Sequence, residues 1–142
     1  MLDLLEPFIG CWEATDGSAR QEITWGLDHR VIRTRMWFLD EDGWKLVSEG
    51  AFYRDPGRDE VVGFAEAIDM PVTHFAMTVR AEDDLLRLDH ISYMEDGTPM
   101  ETAERWASKG TDEFTWNLFQ RDGADLTPWM DGEWRRIPVD SD

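Results

Sequence analysis

His90 has the residue type and the spacing expected of a group that acts inside an apolar cavity. It follows Leu86 and Leu88 at intervals of two residues, so the three side chains share one face of a predicted strand. An imidazole, whose unperturbed pKa is about 6.5, can exchange a proton with a bound molecule or hold one of its polar groups. The alternative is a histidine whose hydrogen bonds are satisfied within the wall of the protein.

Two carboxylates occupy comparable positions. Glu66 lies between Phe64 and Ile68, and Glu104 alternates with Trp106, so both are predicted to point into apolar surroundings. Burial disfavours the charged form of a carboxyl and raises its pKa, which lets the group donate a proton or anchor a hydroxyl. Either carboxylate can instead pair with an arginine of a neighbouring strand. His90 and Glu104 fall on consecutive predicted strands, so they can meet.

Large flat side chains accompany these polar candidates. The chain has eight tryptophans in 142 residues. Trp37, Trp106 and Trp116 can stack on a flat ligand, and Phe64 and Met77 add apolar and adaptable surface. The same side chains can instead fill the interior completely.

The elements that position these residues are strands, because apolar and polar residues alternate along most of the chain. Turn signals, many of them Asp-Gly, recur between the alternating segments. They divide the chain into ten predicted strands, at 9–15, 19–26, 31–39, 44–54, 60–68, 72–80, 85–94, 99–108, 113–121 and 126–137.

The pattern predicts an all-β fold, a ten-stranded antiparallel up-and-down barrel in a single domain spanning 1–142. Residues Leu2 to Phe8 are predicted to form a short helical cap. Consecutive hairpins that close on themselves leave no free strand edge. The interior of such a barrel can hold one small apolar ligand.

Composition narrows the classes of partner. The net charge of −17 disfavours nucleic acid and anionic membrane surfaces, which bind clustered Lys and Arg. The single cysteine, Cys11, can form no intramolecular disulfide, and no signal peptide precedes the first strand, so a cytoplasmic location is expected. No metal-binding, phosphate-binding or nucleophile motif is present, so neither metal nor cofactor is predicted. Whether the protein forms a homodimer stays open.

Both ends of the chain resemble calycin barrels. The segment Leu4–Trp12 contains the Gly-x-Trp of the calycin first strand, and Asp131–Ile137 resembles the last strand. In that superfamily the tryptophan packs under a last-strand arginine, which implies a closure pair between Trp12 and either Arg135 or Arg136.

The closer resemblance is to small, mostly bacterial, lipocalin-like proteins of unassigned function. Four short motifs carry it, at Phe8–Trp12, Leu27–Arg30, Tyr53–Pro56 and Trp129–Arg135. The resemblance implies a barrel with a ligand cavity and relates the chain to fatty-acid-binding proteins and nitrobindins. Nitrobindins place a haem-ligating histidine late in the chain, whereas His90 is the last histidine here, so the resemblance brings no haem ligand.

Three classes of function follow. The leading one is binding of a small hydrophobic or aromatic molecule, with His90, Glu66 and Glu104 as polar anchors. The second is a cofactor-free isomerase, cyclase or lyase that uses His90, Glu104 or Glu66 as acid or base. The third is a structural protein with a filled interior and an exposed strand edge as its partner surface.

Overall fold

The computed structural model describes residues 1–138, and ten strands follow one short helix. The helix is a 3-10 helix over Leu2–Phe8. The strands are β1 (Gly10–Ala14), β2 (Ala19–Gly26), β3 (Val31–Asp40), β4 (Gly43–Asp55), β5 (Glu60–Ala67), β6 (Val72–Glu82), β7 (Leu85–Met94), β8 (Pro99–Lys109), β9 (Glu113–Asp122) and β10 (Asp125–Ile137).

The ten strands form one closed antiparallel barrel in which each strand pairs with its neighbours in sequence. β1 completes the ring by pairing with β10 on one side and β2 on the other. The predicted fold class is confirmed. Closure leaves no free edge in the described sheet, which removes the exposed strand edge that the structural hypothesis needed as a partner surface.

Short turns join the strands because the sequence supplies residues that tolerate a left-handed backbone. Gly97 has a φ of 88° and Gly123 a φ of 61°. Asp96 reinforces its turn by accepting a hydrogen bond of 3.0 Å from the backbone N–H of Thr98. Such tight connections hold consecutive strands antiparallel and in register.

The helix closes one end of the barrel. Leu5 and Phe8 are buried, and the Phe8 ring meets Trp106 and Phe114 edge-on at centroid distances of 5.2 and 5.1 Å. The inward side chains of this half pack into one apolar core. The end that carries the helix is called the capped end below. Within residues 1–138 no helix has the length and apolar character needed to cross a membrane.

The first and last strands are joined at the capped end by Trp12 and Arg136. The Arg136 guanidinium lies 4.3 Å from the centre of the Trp12 ring and donates to the carbonyl of Ile9 at 2.6 Å. Trp12 is buried, and its indole N–H donates to the Phe8 carbonyl at 2.9 Å. Arg135, the other predicted partner, points outward, 3.7 Å from Glu13. The structure thus selects Arg136.

The predicted faces hold on most strands and fail on β5. The register places Gly63 and Ala65 inward, between Phe52 or Gly50 on β4 and Met77 or Phe75 on β6. The prediction placed the larger side chains of this strand inward, and it is wrong. A Cβ at Gly63 would lie 2.6 Å from the Phe52 ring, so this position accepts only glycine.

Inward side chains differ in accessibility between the two halves of the barrel. Near the capped end Ile32, Leu88 and Phe114 are fully buried. Toward the other end Met36, Phe75, Met77, Trp116 and Leu118 also face inward yet remain partly accessible. The half of the barrel away from the helix is therefore less completely buried than the capped half, and its interior is called the upper lumen below.

Replacing Arg136 with Ala should lower the free energy of unfolding by about 2–4 kcal/mol, because a charge-assisted hydrogen bond and a cation–π contact are lost together. Urea unfolding followed by circular dichroism measures the change. Arg135→Ala is the matched control, and its exposed ion pair should contribute less than about 1 kcal/mol. Equal losses for the two variants would contradict the role assigned to Arg136.

Candidate functional site

His90 and Glu104 meet on the inner surface of β7 and β8. The register pairs His90 with Thr102 and Leu88 with Glu104, so all four side chains point inward. The Nε2 atom of His90 lies 2.6 Å from Oε2 of Glu104, within ion-pair distance although out of line for a hydrogen bond. His90 is 3% exposed, so the pair is set inside the wall.

Three further groups complete the cluster. Thr102 Oγ1 lies 3.1 Å from Nδ1 of His90, on the opposite side of the ring from Glu104. The indole N–H groups of Trp106 and Trp116 both donate to Oε1 of Glu104, the former at 3.3 Å. These five residues are called the lumen cluster below.

The cluster keeps Glu104 ionised. Burial by itself raises the pKa of this carboxyl, but the positive charge of His90 and the indole N–H groups of Trp116 and Trp106 outweigh burial and hold the pKa below its usual value. An indole can only donate, so it favours the acceptor-only carboxylate over the carboxylic acid. The sequence-based expectation of a raised pKa at Glu104 is therefore wrong, because the burying walls also carry donors.

The arrangement fixes the chemistry that His90 can perform. With Nε2 facing a carboxylate, the proton of a neutral imidazole resides on Nε2, and Nδ1 accepts from the Thr102 hydroxyl. When the ring is protonated, both nitrogens donate. The chain from Glu104 through His90 to Thr102 can therefore take up or release a proton at its Thr102 end.

The structure brings together some of the predicted site residues and separates others. Trp106 and Trp116 join His90 and Glu104, and Met77 lies beside His90 in the register of β6 and β7. Phe75 meets the His90 ring edge-on at 5.8 Å. A single aromatic and polar surface thus lines one side of the upper lumen.

Three predicted site residues lie on the outside of the barrel. Trp37 faces outward on β3, with the Arg35 guanidinium 5.5 Å from its ring centre. Phe64 is 44% exposed on β5. Glu66 pairs with His74 at 2.5 Å on the outer wall. Their predicted inward placement is wrong, because small residues occupy the inner face of β5 and Trp37 alternates with the inward Met36.

Sequence reasoning missed one polar residue of the upper lumen, Ser92. It follows His90 by two residues, so period-two spacing alone could have placed it on the inner face, as the same spacing places Thr102 on the face of Glu104. Ser92 is 1% exposed, and its hydroxyl has no hydrogen-bond partner in the described part of the chain. A buried donor without a partner is costly, which marks the position as one that a ligand can satisfy.

The open end of the barrel, called the mouth below, is acidic. Five hairpin turns form it, at 15–18, 41–42, 68–71, 95–98 and 123–124, and none of them contains Lys, Arg or His. Nine carboxylates lie in these turns or at the adjoining strand ends, namely Asp16, Asp40, Glu41, Asp42, Asp69, Glu95, Asp96, Asp122 and Asp125. Lys45 pairs with Asp69 at 2.7 Å and offsets one of these charges.

Two grooves lie on the surface, and the first reaches Leu118, which pairs with Glu104. The groove beside the β10 bulge has a volume of about 210 Å³ and is lined by Phe119, Pro128 and Trp129 among others. A second, of about 180 Å³, lies between the helix and the β6–β7 turn. Both are smaller than the cavities of roughly 300 Å³ or more that enclose drug-sized ligands. Within residues 1–138, no three His, Cys, Asp or Glu side chains converge as a metal site would require.

No protein-family model matches the chain, and no curated protein matches its sequence.

Replacing Glu104 with Gln should remove part of the acid sensitivity of the fold. A carboxyl whose folded pKa is depressed contributes stability above its ordinary pKa, and that contribution is lost as pH falls through the folded pKa. The difference in unfolding free energy between wild type and Glu104→Gln should be largest above about pH 5 and shrink below about pH 4.

Urea unfolding at a series of pH values measures that difference. Glu101→Gln, which removes a carboxylate from the outer face of the same strand, is the control for losing one negative charge. A difference for Glu104→Gln that stays constant across the acid range would contradict a depressed pKa at this site.

Proposed function

We propose that the protein binds a small hydrophobic or aromatic molecule in the upper lumen, with the lumen cluster as its polar wall. The observation that carries this proposal is the partial accessibility of inward Phe75, Met77 and Trp116 in a barrel whose other half is packed. Accessible apolar surface in a concave setting is typical of ligand sites.

Burial of this surface would drive binding. Apolar area removed from water contributes roughly 25 cal/mol per Å² before the costs of ordering the ligand and the side chains. Met36, Met77 and Met100 face inward and adapt their shape readily, which supports tolerance of several ligand shapes. The cluster around His90 would set the orientation of the ligand more than its affinity.

Kinship with calycin barrels, and with the small lipocalin-like group among them, forms part of the proposal. The closed ten-stranded antiparallel barrel is consistent with a calycin-like fold. The Trp12–Arg136 contact at the capped end is the closure pair that the resemblance implies. We also place the protein in the cytoplasm, on the strength of its single cysteine and acidic composition.

Catalysis in the same lumen is the second candidate, and a specific observation favours it. Glu104, His90 and Thr102 form a chain in which the carboxylate orients the imidazole and the imidazole contacts a hydroxyl. Such a chain can move a proton to or from a bound molecule. A cofactor-free isomerase, cyclase or lyase acting on a hydrophobic substrate would need no more than this and a shaped apolar wall.

Obstructing the upper lumen should abolish binding of an apolar probe. Ala65 faces inward on β5, and Ala76 faces outward on β6. Nile red, a neutral dye whose emission rises in apolar surroundings, should bind the wild type, and Ala65→Phe should weaken it by roughly tenfold or more by occupying ligand space. Fluorescence titration measures the affinity.

Ala76→Phe is the matched control, because it adds the same ring to the outer wall. Its affinity for Nile red should equal that of the wild type, and circular dichroism checks that both variants fold. Equal binding by the two variants would mean that the dye occupies the outer surface, and the proposed site would be wrong.

A substitution of His90 separates catalysis from binding. If the second candidate holds, the wild type converts at least one compound that displaces Nile red, and His90→Gln abolishes conversion while its affinity changes by no more than about threefold. Mass spectrometry of the incubated compound measures conversion. Absence of conversion by the wild type for every displacing compound would leave binding alone.

A further inference from the structure

The interior charges of the upper lumen are unsuited to an anion. Glu104 carries a negative charge that its donors stabilise, and His90 can at most neutralise it. Among the described residues, Lys45 is the one basic side chain other than His90 that the register places on the inner side near the mouth, and it is half-exposed and already paired with Asp69. A ligand carboxylate would therefore meet no free cation there and would be repelled by Glu104.

The carboxylates at the mouth also repel anions, and they do so over a longer distance than Glu104. Its nine carboxylates outnumber the neighbouring basic side chains Arg20, Lys45 and Arg121, so they create a negative potential at the end of the barrel opposite the helix. Such a field raises the local concentration of cations and lowers that of anions, over distances of about 10 Å at moderate ionic strength. The mouth therefore favours the approach of cations over that of anions before a molecule reaches the apolar wall.

The upper lumen also offers groups that hold a cation. The partly accessible rings of Phe75 and Trp116 present aromatic surface, which attracts ammonium groups once water is removed. The Ser92 hydroxyl lies two residues from His90 on the same face, is buried and has no partner, so its oxygen can accept a hydrogen bond from an ammonium N–H. These features point to a ligand independently of the acidic mouth.

We infer that the ligand of the upper lumen is a hydrophobic cation, an apolar body bearing a protonated amine, rather than a fatty-acid-like anion. This inference rests on the proposed function, because it names the chemical class that the same lumen selects. The apolar body contacts the aromatic and methionine side chains, and the ammonium group contacts Ser92 on the mouth side of His90, while Glu104 on the other side of His90 keeps the wall negative.

Three compounds of equal chain length test the inference by displacing Nile red from the wild type at neutral pH. Decylamine is cationic, 1-decanol is neutral and decanoate is anionic. We expect decylamine to bind tightest and decanoate weakest, with roughly tenfold or more between them at about 0.02 M salt and a smaller ratio at about 0.5 M. Ser92→Ala should weaken decylamine and leave 1-decanol within about twofold.

Two triple variants locate the source of the selectivity. The mouth variant carries Glu41→Gln, Asp42→Asn and Asp125→Asn. The control variant removes the same charge at the capped end, through Glu6→Gln, Asp84→Asn and Glu113→Gln. All six side chains are exposed. The ratio of decylamine to decanoate affinity should fall in the mouth variant and remain near the wild-type value in the control.

The outcomes separate this inference from the proposed function. If Nile red does not bind the wild type, the proposed function fails and the inference fails with it. If Nile red binds but decanoate or 1-decanol displaces it as well as decylamine does, the lumen is a ligand site and the inference is wrong. An equal drop in the ratio for both triple variants would overturn the claim that the mouth selects the cation.

Discussion

Closure of the sheet between β1 and β10 is the constraint on which the rest of this structure depends. Once the two strands pair, each residue of the wall has a fixed inward or outward direction, because side chains alternate strictly along a strand. Arg136 fixes the junction by lying over Trp12 and binding the carbonyl of Ile9. A slip of one residue along β7 or β8 would turn His90 or Glu104 to the outside and bring Arg87 or Arg105 inside.

The two halves of the barrel differ in how completely their inward side chains are buried. The capped half is packed with aromatic and branched side chains under the helix, so it carries most of the apolar burial. The upper half leaves inward apolar surface accessible and places an ionised carboxylate in its wall. A buried charge of this kind is tolerated only where donors converge on it, and the indoles of Trp106 and Trp116 with His90 supply them.

Much of the fold could be predicted from the sequence. Alternation and Asp-Gly turns located all ten strands to within a few residues, since both signals are local and each strand of a meander pairs with its sequence neighbours. The meeting of His90 with Glu104 was also within reach, because consecutive strands had to be adjacent. The inward face of β5 could not be predicted from the sequence. The positions of Phe64 and Glu66 depend on how Phe52 of the neighbouring strand fills the interior.

The sequence by itself determined an all-β barrel with an acidic surface and polar residues on its inner wall, because periodicity, turn residues and net charge are properties of the chain. Only the tertiary structure decided which carboxylate is buried, that its pKa falls rather than rises, and that Arg136 rather than Arg135 closes the ring. These outcomes depend on strand register and on distances between side chains far apart in sequence. Local pattern carries no information about either.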